Sequence, residues 1–187
     1  IAIQKSPIEK EQVNLFLSGD LINQITPSTF SAKTIDLPYL GLFNACATSA
    51  EGLALSAALI DGGFSDYIIT GTSSHHAAAE KQFRYPNDYG AQNPPTSQWT
   101  VTGAGCVLLG KTGHGPTVTS ATVGKIVDMG ITDPFNMGGA MAPAAVETIQ
   151  AHLQDRNLDS SYYDLIITGD LGKIGRETSF DLLNQQG

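Results

Sequence analysis

The sequence predicts an α/β protein, and three observations carry that reading. Short apolar runs, such as Val13–Gly19 and Asp66–Gly71, alternate with helical patterns along the chain of 187 residues. Twenty glycines and a 7% aromatic share fit a layered fold with many strand-to-helix turns. The stretch Tyr39–Gly63 reads as a strand, a tight elbow carrying Cys46 and a helix to about Asp61. Thr48 and Glu51 fit a capping box at its start, and Gly62-Gly63 marks its stop. A helix N-terminus gathers unpaired N–H groups, which makes a nearby thiol more acidic and attracts small anions.

The remaining elements follow in order. Ile1–Lys10 reads as a loop or the tail of a helix. Val13–Gly19 is a short strand. Thr26-Pro27 opens a helix to about Ile35, with Thr26 as cap and a stop before Pro38. After the strand Asp66–Gly71, Ala77–Gln82 is expected to form a helical turn or two. From Phe83 to Trp99 no period is visible and three prolines interrupt. Phe83, Tyr85, Tyr89 and Trp99 suggest that this loop packs. Thr100–Gly110 and Thr117–Val127 read as β-branched strands. Asp128–Gly139 is a loop. Ala140–Arg156 is an amphipathic helix with Pro143 in its first turn. Tyr163–Gly169 is a strand, and Ser179–Asn184 begins a helix. LSGDL at 17–21 recurs as ITGDL at 167–171, a weak repeat that suggests a second homologous half from about Ser120. The expected division is 1–119, incomplete at its N-terminus, and 120–187, the start of a second half.

A hydrophobic share of 41% with 15% charged residues describes a globular chain. A net charge of -8 argues against broad nucleic-acid binding, which needs a basic face. No apolar run is long enough to span a bilayer, and no signal peptide is visible. The chain starts without Met, so a fragment is expected. Two cysteines 60 residues apart form neither a disulfide framework nor a zinc site. Cys106 reads as a buried, inert strand thiol, and a reducing compartment is the default.

Several longer motifs then carry a resemblance. SGDLINQ at 18–24, ACATS at 45–49, TSSHHAAAEKQFRYP at 72–86, TVTGAG at 100–105, GITDPFNMGGAMAPAA at 130–145 and YDLIITGDL at 163–171 resemble the stage V sporulation protein AD family. These are thiolase-like proteins of endospore-forming bacteria, and the motifs span nearly the whole chain. The resemblance implies a five-layer α/β/α/β/α fold of two pseudo-symmetric halves, usually dimeric. It implies binding of dipicolinic acid, alone or as its calcium chelate, and assistance of its uptake into the developing spore. The implied partners are membrane proteins of the same operon, with the protein peripheral at the spore inner membrane. No cofactor and no metal are implied.

Thiolase-fold condensing enzymes use a Cys at this elbow as acyl acceptor, with His or His/Asn partners from the second half. Cys46 occupies that nucleophile position. In ketoacyl-synthase relatives a histidine follows the strand that matches YDLIITGDL; here Gly169, Asp170 and Leu171 stand there, and a carboxylate repels an enolate. A non-enzymatic binding protein is therefore favoured, with no catalytic residue. The rivals are an acyl transferase working through Cys46 and a structural docking subunit.

The candidate ligand residues are Cys46, His75, Arg84, Tyr85 and Asp170. Neighbouring side chains in extended backbone point to opposite sides, so at most one of His75 and His76 faces the Cys46 pocket, and His75 is the choice. Either histidine taken alone reads equally as an ordinary loop residue. Arg84 matches a carboxylate with two parallel hydrogen bonds, and Tyr85 or Phe83 covers a flat ring. Arg84 equally fits an ion pair with Glu80 or Asp88, while Lys81 reads as solvated. Asp20 and Asp170 stand at matching places in the repeat. Each fits either a calcium contact or a turn carboxylate, and the turn is preferred because no calcium-loop pattern occurs. Asp133 and Asn136 call for the same preference. The glycine clusters lack a nucleotide-binding pattern.

Overall fold

The structure is a computed structural model that describes residues 2–77, 94–99 and 101–186. Arg84, Tyr85 and most of the expected Ala77–Gln82 turn lie outside the described residues. The chain divides into two compact units, Ile1–Ala79 with Val101–Ser120 and Glu80–Thr100 with Ala121–Gly187.

The first unit is built on a mixed sheet of four strands: β1 (Leu15–Asp20), β2 (Tyr39–Leu42), β3 (Tyr67–Ser74) and β4 (Gly103–Gly110). Their order is β2-β1-β3-β4. β1 pairs in parallel with β2 and β3, while β4 runs antiparallel along β3. Parallel neighbours require crossovers, and two helices supply them: α1 (Thr26–Ile35) between β1 and β2, and α2 (Thr48–Asp61) between β2 and β3.

Strand alternation sorts the core into two layers. Phe16 and Ile69 join Val13 and Ala32 of α1 on one face. Leu17 and Ile68 join Leu42 and Ile60 of α2 on the other. β1 is thus covered on both faces, and five of its six residues are buried. α2 comes close to β3 because Gly52 has no side chain: a Cβ there would run into Thr70 Oγ1 and sit 3.4 Å from Thr70 Cβ.

Three details of this unit differ from the sequence reading. Thr26 is the first helical residue of α1; the left-handed residue Ile25 (φ 43°) precedes it as cap, and Pro27 follows inside the first turn. Thr48 likewise lies inside α2, fully buried, because a 3-10 turn at Ala45–Ala47 extends the helix backwards. Its hydroxyl therefore does not cap the helix. Cys106 is exposed rather than buried, since β4 is the outer strand and Gly103–Val107 is uncovered.

In the second unit, α3 (Met137–Asp155) packs on α4 (Gly172–Gln186). Asn136 caps α3, its Oδ1 accepting from Gly139 N at 3.1 Å. α3 starts a turn earlier than expected, which leaves Pro143 in its interior. α4 starts seven residues before Ser179, at Gly172, whose φ is 63°. The expected strands Thr117–Val127 and Tyr163–Gly169 are absent: both segments are irregular. Val123 is 93% and Ile126 97% exposed, and Leu165 and Ile167 are also exposed. An apolar β-branched run supplies extended backbone, but a strand needs a neighbouring ladder, and none is present beside these runs among the described residues. His152 of α3 bonds to both: its Nδ1 lies 2.8 Å from Thr122 Oγ1 and its Nε2 2.6 Å from Tyr163 Oη. Among the described residues, no helix is long and apolar enough to cross a membrane.

Candidate functional site

The three parallel strands β2, β1 and β3 end side by side. Their carboxyl ends deliver three chemistry-bearing residues: Cys46 shortly after β2, Asp20 at the last position of β1 and His75 just after β3. In open α/β sheets the crevice outside the carboxyl ends is where ligands bind.

Cys46 lies in the 3-10 turn immediately before α2; it is exposed and in no disulfide. The elbow bends through Ala45 at φ 42°, a left-handed conformation that costs a non-glycine residue about 1 kcal/mol or more. Thr48 holds the bend in place. Its buried Oγ1 accepts from Asn44 N at 3.0 Å and donates to Ala45 O at 2.9 Å. The hydroxyl read from sequence as a helix cap is the clamp of the elbow that presents the thiol. Glu51 is in the first turn of α2, and its Oε2 is buried without a hydrogen-bond partner among the described residues.

Asp20 is completely buried. Its Oδ1 accepts from Ile22 N at 3.1 Å, and its Oδ2 accepts from Ser73 Oγ at 2.5 Å. His75 Nδ1 stands 3.4 Å from the same Oδ2, with the histidine side chain 40% exposed. The contact is within ion-pair range but lacks hydrogen-bond geometry, so Nδ1 has no hydrogen bond among the described residues. Asp20 is thus more than the local turn carboxylate preferred from sequence: it ties β1 to β3 and faces the candidate histidine. No local sequence signal marks this contact: it follows from the β1–β3 register, which sets Asp20 opposite Ser73.

Asp170 belongs to the second unit. Its Oδ2 accepts from Trp99 N at 2.7 Å and its Oδ1 from Gly172 N at 2.8 Å. Its carbonyl accepts from Gln98 Nε2 at 2.8 Å. The carboxylate fastens the 94–99 segment to the start of α4. Trp99 itself is exposed, contrary to the expectation that it packs. Asp20 and Asp170, paired by the LSGDL/ITGDL repeat, stand in different settings, the first ending a strand and the second in irregular backbone. Arg84 and Tyr85 lie outside the described residues. Among the described residues, no group of three or more His, Cys, Asp or Glu side chains is placed to hold a metal ion.

A Cys-bearing elbow between a parallel strand and a helix, on a mixed sheet whose strand β1 is covered on both faces, fits the thiolase-like class. The solved structures of that class agree. 3-Oxoacyl-[acyl-carrier-protein] synthase III from Aquifex aeolicus matches with a TM-score of 0.69 at 11% identity, over 98% of this chain and 62% of that one. OleA from Xanthomonas campestris matches with a TM-score of 0.70 at 12% identity, over 98% and 60%. At such identities the likeness is one of fold. Within the class the chain belongs to the stage V sporulation protein AD family, whose model matches residues 1–187. Stage V sporulation protein AD of Bacillus subtilis is 48% identical over all 187 residues, and the chain spans 55% of that relative's length. This places the chain among the proteins of sporulation.

Proposed function

We propose that the protein binds dipicolinic acid, free or as its calcium chelate, without transforming it, and assists its uptake into the developing spore. The observation that carries this reading is membership of the sporulation family along the whole chain, at 48% identity to a curated member. The proposed ligand residues are Cys46, His75, Arg84 and Tyr85, with Asp170 acting through the backbone of the 94–99 segment that it holds. Dipicolinate has two carboxylates and a flat ring. Arg84 answers a carboxylate with its planar fork and Tyr85 answers the ring. The protein works at the spore inner membrane as a peripheral partner of membrane proteins from its operon, and as a homodimer. The outer edge of β4, unpaired among the described residues, offers a pairing surface for a second copy.

The absence of enzymatic chemistry is supported by Asp170. A catalytic histidine of ketoacyl synthases is expected near this position, and the carboxylate found here spends both oxygens on backbone N–H groups. A second reading has an observation of its own: Cys46 is exposed at the elbow of a fold shared with condensing enzymes. That reading makes Cys46 an acyl acceptor.

Calorimetric titration with dipicolinate, with and without calcium, beside an Arg84→Ala variant, tests the proposal. Saturable binding that the variant loses supports it. Folded protein that binds no dipicolinate overturns it. In that case a mass increase on Cys46 after incubation with acyl-CoA would establish the acyl-transfer reading, and no increase would leave a docking subunit.

A further inference from the structure

We infer that Asp20, with Ser73, is the positioning group for His75, fixing which ring nitrogen carries the proton and which faces a ligand. The inference rests on His75 being a ligand residue, as proposed above, but its structural half stands without that reading. Alternation along β3 and its extension puts Ser73 and His75 on one side, and the β1–β3 register sets Asp20 opposite Ser73. Both side chains therefore meet the same carboxylate: Ser73 Oγ at 2.5 Å and His75 Nδ1 at 3.4 Å from Asp20 Oδ2. An ionised carboxylate only accepts, and both oxygens of Asp20 already receive donors, Oδ2 from Ser73 Oγ and Oδ1 from Ile22 N. A lone pair on Nδ1 facing it would be repelled, whereas an N–H is attracted, so Nδ1 is the protonated nitrogen. Ser73 donates its hydroxyl hydrogen to Oδ2 and Ile22 N–H holds Oδ1, so the carboxylate cannot swing away from the ring. Nε2 is then the nitrogen left for the exposed side of the ring. This is the arrangement by which a carboxylate behind a histidine sets its tautomer and aim; at metal-ligating histidines loss of such a partner costs about 10-fold or more in affinity.

The test is long-range proton–nitrogen NMR of the histidine rings at pH 8, with His75 assigned from a His75→Gln variant, together with dipicolinate titration. Wild-type protein is expected to show His75 protonated at Nδ1. Asp20→Asn is expected to mix the two tautomers and weaken dipicolinate about 10-fold. Should Asp20→Asn fail to fold, the wild-type spectrum alone decides the tautomer. Ser73→Ala, which loosens the carboxylate without removing it, is then expected to give a smaller loss of affinity. A wild-type ring protonated at Nε2, or an Asp20→Asn protein with unchanged tautomer, overturns the inference. If wild-type protein binds no dipicolinate but the tautomer responds to Asp20→Asn, the positioning role stands and the ligand proposal fails.

Discussion

Replacing Gly138 by alanine tests how the second unit is held together. A Cβ on Gly138 would lie 2.8 Å from the Leu171 carbonyl carbon, closer still to its oxygen, and 3.3 Å from Gly175 N. Real Cβ atoms essentially never come within 3.0 Å of another heavy atom, and these neighbours are backbone, so no rotamer relieves the clash. The first turn of α4 must move. Leu171 adjoins Asp170, whose carboxylate holds Trp99 N and Gly172 N, so the movement strains those bonds as well. Overpacking costs about 1–3 kcal/mol, and a disturbed charge-assisted hydrogen bond about 1–2 more. Against this, alanine gains up to about 1 kcal/mol over glycine inside a helix. The clash wins, and a net loss of about 2–4 kcal/mol is expected. With a urea m-value of about 2 kcal/mol/M, the midpoint falls by about 1–2 M. Urea unfolding of the intact protein, followed by circular dichroism, measures it. Gly113→Ala, where a Cβ meets nothing within 4 Å, serves as control and should shift the midpoint little. Coincident midpoints for Gly138→Ala and wild type would refute the backbone-contact argument.

Thr48→Val keeps the shape of a buried side chain but leaves Asn44 N and Ala45 O without their bonds, so a loss of about 2–4 kcal/mol is expected in the same assay. Thr70→Val has the opposite sign: Thr70 Oγ1 is buried without a partner among the described residues, so the variant should match wild type or exceed it by up to about 1 kcal/mol. Gly52→Ala should destabilise by about 1–3 kcal/mol, since its Cβ would meet Thr70 Oγ1, and pairing it with Thr70→Ala, which removes that atom, should recover part of that loss in a double-mutant cycle. The Asp159 carboxyl is held below its ordinary value by hydrogen bonds from the Ser161 backbone and side chain. Its contribution to the Ser160–Tyr162 turn is therefore present above the unfolded value and lost as pH falls through the folded one. Carboxyl NMR should place its midpoint below that of an unperturbed aspartate, and a midpoint at or above that would contradict the bond from Ser161 N at 2.8 Å.

The sequence by itself determined the alternation of elements in the first unit and the place of the cysteine elbow. Those signals are local: β1 and β3 each bury a short apolar run, and proline and glycine punctuate α1 and α2. The long shared motifs also determined the family, borne out by the match over residues 1–187. Only the tertiary structure decided what depends on neighbours distant in sequence. Thr48 looks like a cap in sequence, but the 3-10 turn ahead of α2 makes it the clamp of the elbow. Cys106 has a strand pattern that promises burial, yet its strand lies at the sheet's edge and the thiol is exposed. Val123 and Ile167 lie in runs that read as strands, but pairing requires a second ladder, which no local pattern encodes. Asp20 and His75 are 55 positions apart in the chain. They meet because β1 and β3 pair in a register that brings their carboxyl ends level, a long-range contact that no single stretch of sequence contains.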